Sequence, residues 1–391
     1  MVPAFDGVKI LDFSWVVAGP VVTTWMAQYG ATVIRVESSK RPDTLRTGTP
    51  YKDGKPGLNR SGYFTYWNTN KYSIALNLKN PAAAGMLRKL VSWADAVVEN
   101  FTPGQLEKMG FGYEDLKKIN PDIILLRLSM YGQSGPLARH LGFGPFLAGL
   151  VGFQNLTGWP DRGPVQVGGI TDFLTLDYAM STLISALDQR NKTGEGQCID
   201  LSQCEVALQS IAPIMLDYFV NGKEAERQGN SCAYAAPHAA FRCQGNNRWC
   251  AVAVTNEEEW AAFCNVLEKT EWLTDPRFST LLARKQNETE LNELITEWTD
   301  QHSAEAVMEM LQAAGVPAGI VATSGDLLEN PQLQARDRFW LMEHPEMGDF
   351  YHLGEPFKFS RTTAERRLPS PCLGEHTELV CKEILKMSDE E

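Results

Sequence analysis

The segment Gly7–Glu37, GVKILDFSWVVAGPVVTTWMAQYGATVIRVE, switches from one hydrophobic period to another and back. Val8–Phe13 reads as a buried strand. Ala18-Gly19-Pro20 then opens a helical stretch to Tyr29, with Pro20 suited to a first helical turn, where a missing N–H costs little. Gly30 stops that helix, and Thr32–Glu37 is a second β-rich run. Further along, Tyr72–Asn77 reads as a strand, Pro81–Trp93 as a helix, Ala96–Glu99 as a strand and Ile123–Ser129 as another. Strands alternating with helices require crossover connections. The first half is therefore expected to be an α/β, doubly wound and mostly parallel sheet.

Later in the chain the texture changes. A helix is expected from about Gln203 to Tyr218, and NGKEAERQGNSCAYAAPHA (221–239) reads as a linker rich in turn residues. Short strands at Phe241–Cys243 and Trp249–Val254, with acidic helices starting near Asn256 and Glu290, predict a smaller α+β unit. Asp326–Phe339 reads as helical, and the tail is turn-rich before a short amphipathic helix. Neither an internal repeat nor a low-complexity tract is present.

With 391 residues, 43% of them hydrophobic, the chain has enough apolar side chains for a sizeable core. Its formal charge of -12 is spread over mixed-sign segments, which argues against nucleic acid or an anionic membrane as the main partner. None of the eight cysteines precedes Cys198, so half the chain would lie outside any disulfide framework, and reduced thiols in a cytoplasm are expected. Cys243 and Cys250 flank QGNNRW without a second pair or histidine cluster, so no metal site is expected. The start lacks the pattern of an export signal, and no apolar run reaches the roughly 18 residues of a membrane span.

One helix raises a chemical question. In GGITDFLTLDYAMSTLISALDQRNKTGEGQCIDLSQCE (168–205), a helix starting at Asp172 carries Leu176, Met180, Leu183 and Leu187 on one stripe. Asp172 heads that stripe, whereas Asp177 falls on the side of Ser181, Ser185 and Asp188 and reads as solvated. Asp172 is either an ordinary N-cap or a carboxylate placed for chemistry at a helix N-terminus, which favours its ionised form. Gly168 and Gly169 would let a ligand approach the backbone there.

Six segments together resemble the class III CoA-transferases, the group of formyl-CoA, carnitine and bile-acid CoA-transferases, with the α-methylacyl-CoA racemases as relatives. They are Gly7–Glu37; NTNKYSIALNLKN (68–80); ADAVVENFTPGQLEKMGFGYEDLKKINPDIILLRLSMYGQSGP (94–136); LTGWPDRGP (156–164); residues 171–208; and LGEHTELV (373–380). The resemblance thins between about 220 and 330. In that family the nucleophile is an Asp starting the helix that ends in Arg-x-x-Thr-Gly-x-Gly-Gln. Here the ending is Arg190 to Gln197, and Thr193 follows Asp172 by 21 residues.

The resemblance implies Asp172 as catalytic residue, working by covalent relay. Its carboxylate takes the acyl group as an anhydride, the CoA thiolate returns to form an aspartyl-CoA thioester, and the acceptor acid receives CoA. Coenzyme A or acyl-CoA is then a substrate, with no tightly bound cofactor. For its binding the resemblance points to Val16 and Ala18, Leu76, and the run from Asn100 through Phe101 and Gln105 to Lys108 and Met109. Lys108 takes the place of a phosphate-facing Arg, Ser38 stands where formyl-CoA transferase has an Arg, with Lys40 or Arg41 as its substitute, and Arg139 and His140 are further phosphate candidates. Val17, Tyr131, Gly144, Gly168 and Gly169 are the substrate or oxyanion candidates.

Departures from the pattern narrow the reading. Phe143 and Gly144 replace the His-Asp pair of the racemases, removing one of two proton carriers. GFGP followed by LTGWPD resembles the benzylsuccinate-type branch, which implies succinyl-CoA as donor and an aromatic or alicyclic acid such as benzylsuccinate as acceptor. Trp15, Tyr131, Phe143 and Phe146 are the candidate lining. A racemase-like isomerase and a non-catalytic subunit of a heteromeric transferase stay open as alternatives. A nicotinamide enzyme does not fit, since no Gly-x-Gly-x-x-Gly follows Phe13.

The resemblance also implies the architecture: a Rossmann-like large domain beginning with 1–200, a linker at 201–230, a small domain at 231–325, and a return to the large domain at 326–391. It implies further an interlocked homodimer, or a heteromer with a homologous subunit.

Overall fold

The computed structural model describes residues 2–78, 80–365 and 367–389. Its centre is a six-stranded sheet of β1 (Lys9–Asp12), β2 (Thr32–Glu37), β3 (Tyr72–Ala75), β4 (Ala96–Glu99), β5 (Ile124–Ser129) and β6 (Cys198–Ser202). The spatial order is β3-β2-β1-β4-β5-β6 and every neighbouring pair is parallel. This is a doubly wound sheet whose order reverses between β1 and β4, where such folds open a crevice at the carboxyl ends of the strands.

Successive side chains alternate between the two faces of the sheet. Ile10, Val33, Ala96 and Ile124 enter one core, packed by α1 (Ala18–Gln28). Leu11, Ile34, Val97 and Leu125 enter the other, packed by α2 (Pro81–Trp93). The principal helix on the first face comes later in the chain, after the short α3 (Gly144–Leu150): α4, Ile170–Thr193. Its Leu176, Leu183 and Leu187 are buried in that core as the stripe predicts, each contributing about 1.5–3 kcal/mol. Asp177 is exposed.

The end of α4 is explained by packing. Arg190 reaches Asp95 at 2.9 Å, Gln197 carbonyl accepts the N–H of Leu125 at 2.9 Å, and a Cβ on Gly196 would overlap the Ile123 carbonyl. The Thr-Gly-x-Gly-Gln motif thus folds the chain from α4 onto the edge of β5 and into β6. That sixth strand was absent from the expected elements. The expected single helix from Gln203 to Tyr218 is two, α5 (Gln203–Ser210) and α6 (Ala212–Asn221), because Pro213 has no N–H for the ladder and sits in the first turn of the second.

A separate compact unit comprises Gln154–Val165 and Ala225–Pro331, the rest belonging to the sheet unit. The expected small domain of 231–325 does not include the first of these pieces, which carries the whole of LTGWPDRGP. An antiparallel sheet of β7 (His238–Cys243), β8 (Arg248–Ala253) and β9 (Ala318–Ile320) packs on α7 (Glu257–Val266), α8 (Glu288–Thr299) and α9 (Ala304–Ala313). Cys243 and Cys250 are buried in this core, and all eight cysteines are free.

The expected helix over Asp326–Phe339 gives way to short helical segments at Ser324–Glu329 and Pro331–Ala335 and then a hairpin, β10 (Phe339–His344) with β11 (Gly348–Leu353). In β10 Trp340, Met342 and His344 are buried while Leu341 and Glu343 are exposed, the period of a strand. Among the described residues no helix is long and apolar enough to cross a membrane.

Candidate functional site

Helix α4 starts two residues before Asp172. Gly169 is its N-cap, no side chain caps it, and the Asp172 backbone N–H donates to the Gly169 carbonyl at 3.0 Å. Asp172 is therefore in the first helical turn and is not the cap. Thr171, fully buried, anchors the turn by donating to the Gly144 carbonyl at 3.3 Å.

Glycines wall the carboxylate. A Cβ at position 144 would overlap Oδ2 and stand 2.9 Å from Cγ, and one at position 169 would stand 2.9 Å from Oδ2. On the other side Gln203 Nε2 lies 3.4 Å from Oδ1. Burial pushes the Asp172 carboxyl up to about 6, with the Gln203 bond pulling the other way. No cation pairs with it among the described residues. A carboxylate so placed is mostly ionised at neutral pH, yet more basic than a solvated one, which suits a nucleophile. Gly168, at φ +67, forms the approach to the helix.

A second cluster occupies the crevice between β1 and β4. The Asn100 side chain accepts from Trp15 N–H at 2.8 Å and donates to the Trp15 carbonyl at 2.7 Å, bridging the two strands where their order reverses. Phe101 lies edge-on to Trp15, and the Arg41 guanidinium sits 5.4 Å from the centre of its ring. Val16 follows at φ +67, a strained conformation for a β-branched residue. Its N–H donates to Asp43, which also pairs with buried Arg35. Val17 is the N-cap of α1, and Ala18 is buried at its start.

Beneath this turn lies a charged network that the sequence reading missed. Asp12 binds Ser14 N–H at 2.8 Å, Thr23 Oγ1 at 2.7 Å and Lys71 Nζ at 3.0 Å. Burial pushes its carboxyl up, but Lys71, Arg35 and the two hydroxyls outweigh burial and hold it below its ordinary value. Pinning Ser14 in this way fixes the path of the Trp15–Val17 turn. Asp12 and Lys71 are 59 positions apart, so no local pattern marks the pair.

A third group lines a cavity of about 400 Å³. It brings Arg139 together with Gly104, Glu107 and Arg127. Arg127 is clamped by Glu99 at 2.7 Å and Glu107 at 2.6 Å. Gln105 and Lys108 are exposed on the helical turn beside it but do not line the cavity. Met109 and Leu76 pack partly buried against the second core. Ser38, partly buried, accepts from the N–H of Lys40 at 3.3 Å. Tyr131 lies edge-on to His140 and packs beside Leu147 of α3. No group of metal-ligating side chains occurs among the described residues.

The fold has close solved counterparts. A crystal structure of a CAIB/BAIF family protein from Brucella suis superposes with a TM-score of 0.90 at 31% identity, covering 98% of this chain and 100% of that one. In sequence, the human succinyl-CoA:glutarate CoA-transferase is 31% identical over 98% of this chain and 86% of its own length. The beta subunit of succinyl-CoA–L-malate CoA-transferase from Chloroflexus aurantiacus is 31% identical over 98% and 95%. Residues 5–377 match CoA-transferase family III, and the chain belongs to that family. It is an enzyme that transfers coenzyme A between an acyl-CoA and a carboxylic acid.

Proposed function

We propose that Asp172 is the nucleophile of this transfer and that the donor is succinyl-CoA. The observation that carries the reading is the Asp172 carboxylate, partly buried at a helix N-terminus and walled by Gly144 and Gly169. Glycine walls let a thioester carbonyl come into contact with Oδ2 and turn a weak nucleophile into an effective one through proximity. Backbone N–H groups at Gly168 and Gly169 are the oxyanion donors for attack on the bound acyl group.

The acyl-CoA extends from this carboxylate along the first βα turn, Val16 to Ala18, and the Asn100–Phe101 segment. Arg139 takes a phosphate at the cavity with Gly104. The acceptor is a dicarboxylic acid, the class named in the human and Chloroflexus relatives. Phe143 and Phe146 favour a substituted one such as benzylsuccinate: they meet edge-to-face at 5.1 Å, are 58% and 62% exposed, and adjoin Gly144.

The working unit is a dimer. Helix α6 buries none of its residues, leaving Leu216, Phe219 and Val220 exposed, and α4 exposes Phe173, Tyr178 and Ile184. Apolar surface of this extent belongs to an interface, and a second copy or a homologous subunit covers it.

The test is incubation with succinyl-CoA and a panel of glutarate, malate and benzylsuccinate, followed by mass spectrometry. Transfer without net hydrolysis, and hydroxylamine inactivation only when acyl-CoA is present, are expected, with the modification on the Asp172 peptide. A modified peptide lacking Asp172 would overturn the assignment. Exchange of the α-hydrogen for deuterium without transfer would support a racemase instead.

A further inference from the structure

Asp172 is held by one side chain to which neither the family match nor the resemblance gives a role. Gln203 is the first residue of α5 and follows directly on β6. Its backbone is fixed on both sides: the β6 ladder ends by pairing Ser202 with Ser129, and Ser202 Oγ caps α5 by accepting the Glu205 N–H at 3.3 Å. Next to it, Cys204 N–H donates to the Met130 carbonyl at 3.0 Å. The Gln203 side chain is buried, and its Nε2 points at Asp172 Oδ1.

The two carboxylate oxygens therefore differ. Oδ2 lies in the glycine-walled notch, and Oδ1 faces a neutral N–H donor. A carboxamide neither pairs with the carboxylate as a charge nor takes its proton. What it supplies is a fixed dipole toward negative charge on one chosen oxygen.

We propose that Gln203 is a catalytic donor in CoA transfer, one that presents Oδ2 to the thioester and stabilises the charge gathered on Oδ1 whenever Asp172 Cγ is attacked. This rests on the reading of Asp172 as nucleophile. In the first displacement a lone pair of Oδ2 bonds to the thioester carbonyl carbon and the C–S bond breaks, releasing CoA thiolate. The thiolate then bonds to Cγ and the π pair of Cγ=Oδ1 moves onto Oδ1. It returns as the Cγ–Oδ2 bond breaks and the donor acid leaves as its carboxylate.

The acceptor carboxylate next bonds to Cγ, again loading Oδ1, and the thiolate leaves. The thiolate finally attacks the acceptor's acyl carbon, displacing the Asp172 carboxylate. Two of the four displacements pass through a tetrahedral Cγ, and both place their charge beside Gln203. The 3.4 Å separation is that of a resting site, and such bonds tighten as charge develops.

The experiment compares wild type with Gln203→Met, which keeps length and burial but loses the donor, Gln203→Glu, and Asp172→Asn as control. With succinyl-CoA and the best acceptor of the panel, Q203M is expected to lower kcat about 10²-fold while the KM for succinyl-CoA stays within about twofold. The acid limb of its kcat/KM profile should move to higher pH, a shift that a merely structural role would not produce. Q203E, with a second carboxylate facing the first, should move that limb further and serves if Q203M does not fold. Turnover of Q203M within about twofold of wild type, with an unmoved acid limb, overturns the proposal. If Asp172→Asn is silent while Q203M is active, the role of Gln203 alone fails; if Asp172→Asn turns over, the nucleophile reading fails first and this one with it.

Discussion

Gly144 and Asp172 are in contact across 28 positions of sequence, so close that a methyl group on the first would displace the carboxylate of the second. Gly144→Ala is therefore expected to act first on the site's geometry. A carboxylate moved by about 1 Å loses on the order of 10²-fold in kcat, and because the new Cβ also stands 2.9 Å from the Gly169 Cα, a backbone atom, the melting temperature is expected to fall as well. Steady-state kinetics beside thermal unfolding checks this, and unchanged kcat in a folded G144A would show that the notch is not used.

Asp172 should also reveal itself through pH. Its carboxyl rises from an ordinary value near 3.8 to about 6 in the fold, because burial disfavours the charge. As nucleophile it works ionised, so kcat/KM is expected to fall as pH drops through about 6, with a limb that follows the free enzyme.

The same shift has a stability consequence of opposite sense. A carboxyl raised by folding stabilises the native state when protonated, so its contribution is lost as pH climbs from about 4 to about 6, and the ionised form is a burden above that. Asp172→Asn should abolish turnover, by a factor on the order of 10³ or more. It should also gain stability on the order of 1–3 kcal/mol at pH 7, a gain that vanishes near pH 4. Denaturant unfolding at the two pH values measures it; equal gains at both would contradict burial as the cause.

Asn100 holds the Trp15 backbone through both its N–H and its carbonyl. Asn100→Ala leaves two backbone groups in a partly buried crevice without those partners, at a cost of about 1–3 kcal/mol. It should also raise the KM for acyl-CoA more than it lowers kcat, since the bridge shapes the binding turn and not the carboxylate. A variant with a normal KM and lowered stability would make Asn100 a structural brace only.

At the cavity with Gly104, Arg139 is exposed whereas Arg127 is already neutralised by Glu99 and Glu107. Arg139→Ala is expected to raise the KM for acyl-CoA about tenfold, on the order of one charge-assisted contact, with kcat preserved and a weaker dependence of KM on salt. Lys108→Ala, outside the cavity, should do less. The reverse ranking would move the phosphate site to the Gln105–Lys108 turn.

What the sequence determined by itself was whatever rests on neighbours along the chain. The strand and helix periods of Gly7–Glu37, the stripe below Asp172 and the motif that ends α4 are local signals, and they were enough for a doubly wound sheet with one inward acid at a helix start. Asp326–Phe339 is helical in two short pieces, Ser324–Glu329 and Pro331–Ala335, because Pro331 has no N–H for one continuous ladder, and only its last residue enters the hairpin. The sixth strand was missed because Cys198–Ser202 is an edge strand whose first three residues are exposed or half-buried, so it shows no buried apolar run and gains its identity only by pairing with β5.

The rest was decided by the tertiary structure. Asp172 was legible as a candidate, but the glycine wall at 144 and the amide at 203 reach it from 28 residues before and 31 after. Parallel crossovers carry these residues to one end of the sheet, and a chain read in order holds no record of which distant positions such crossovers will bring together.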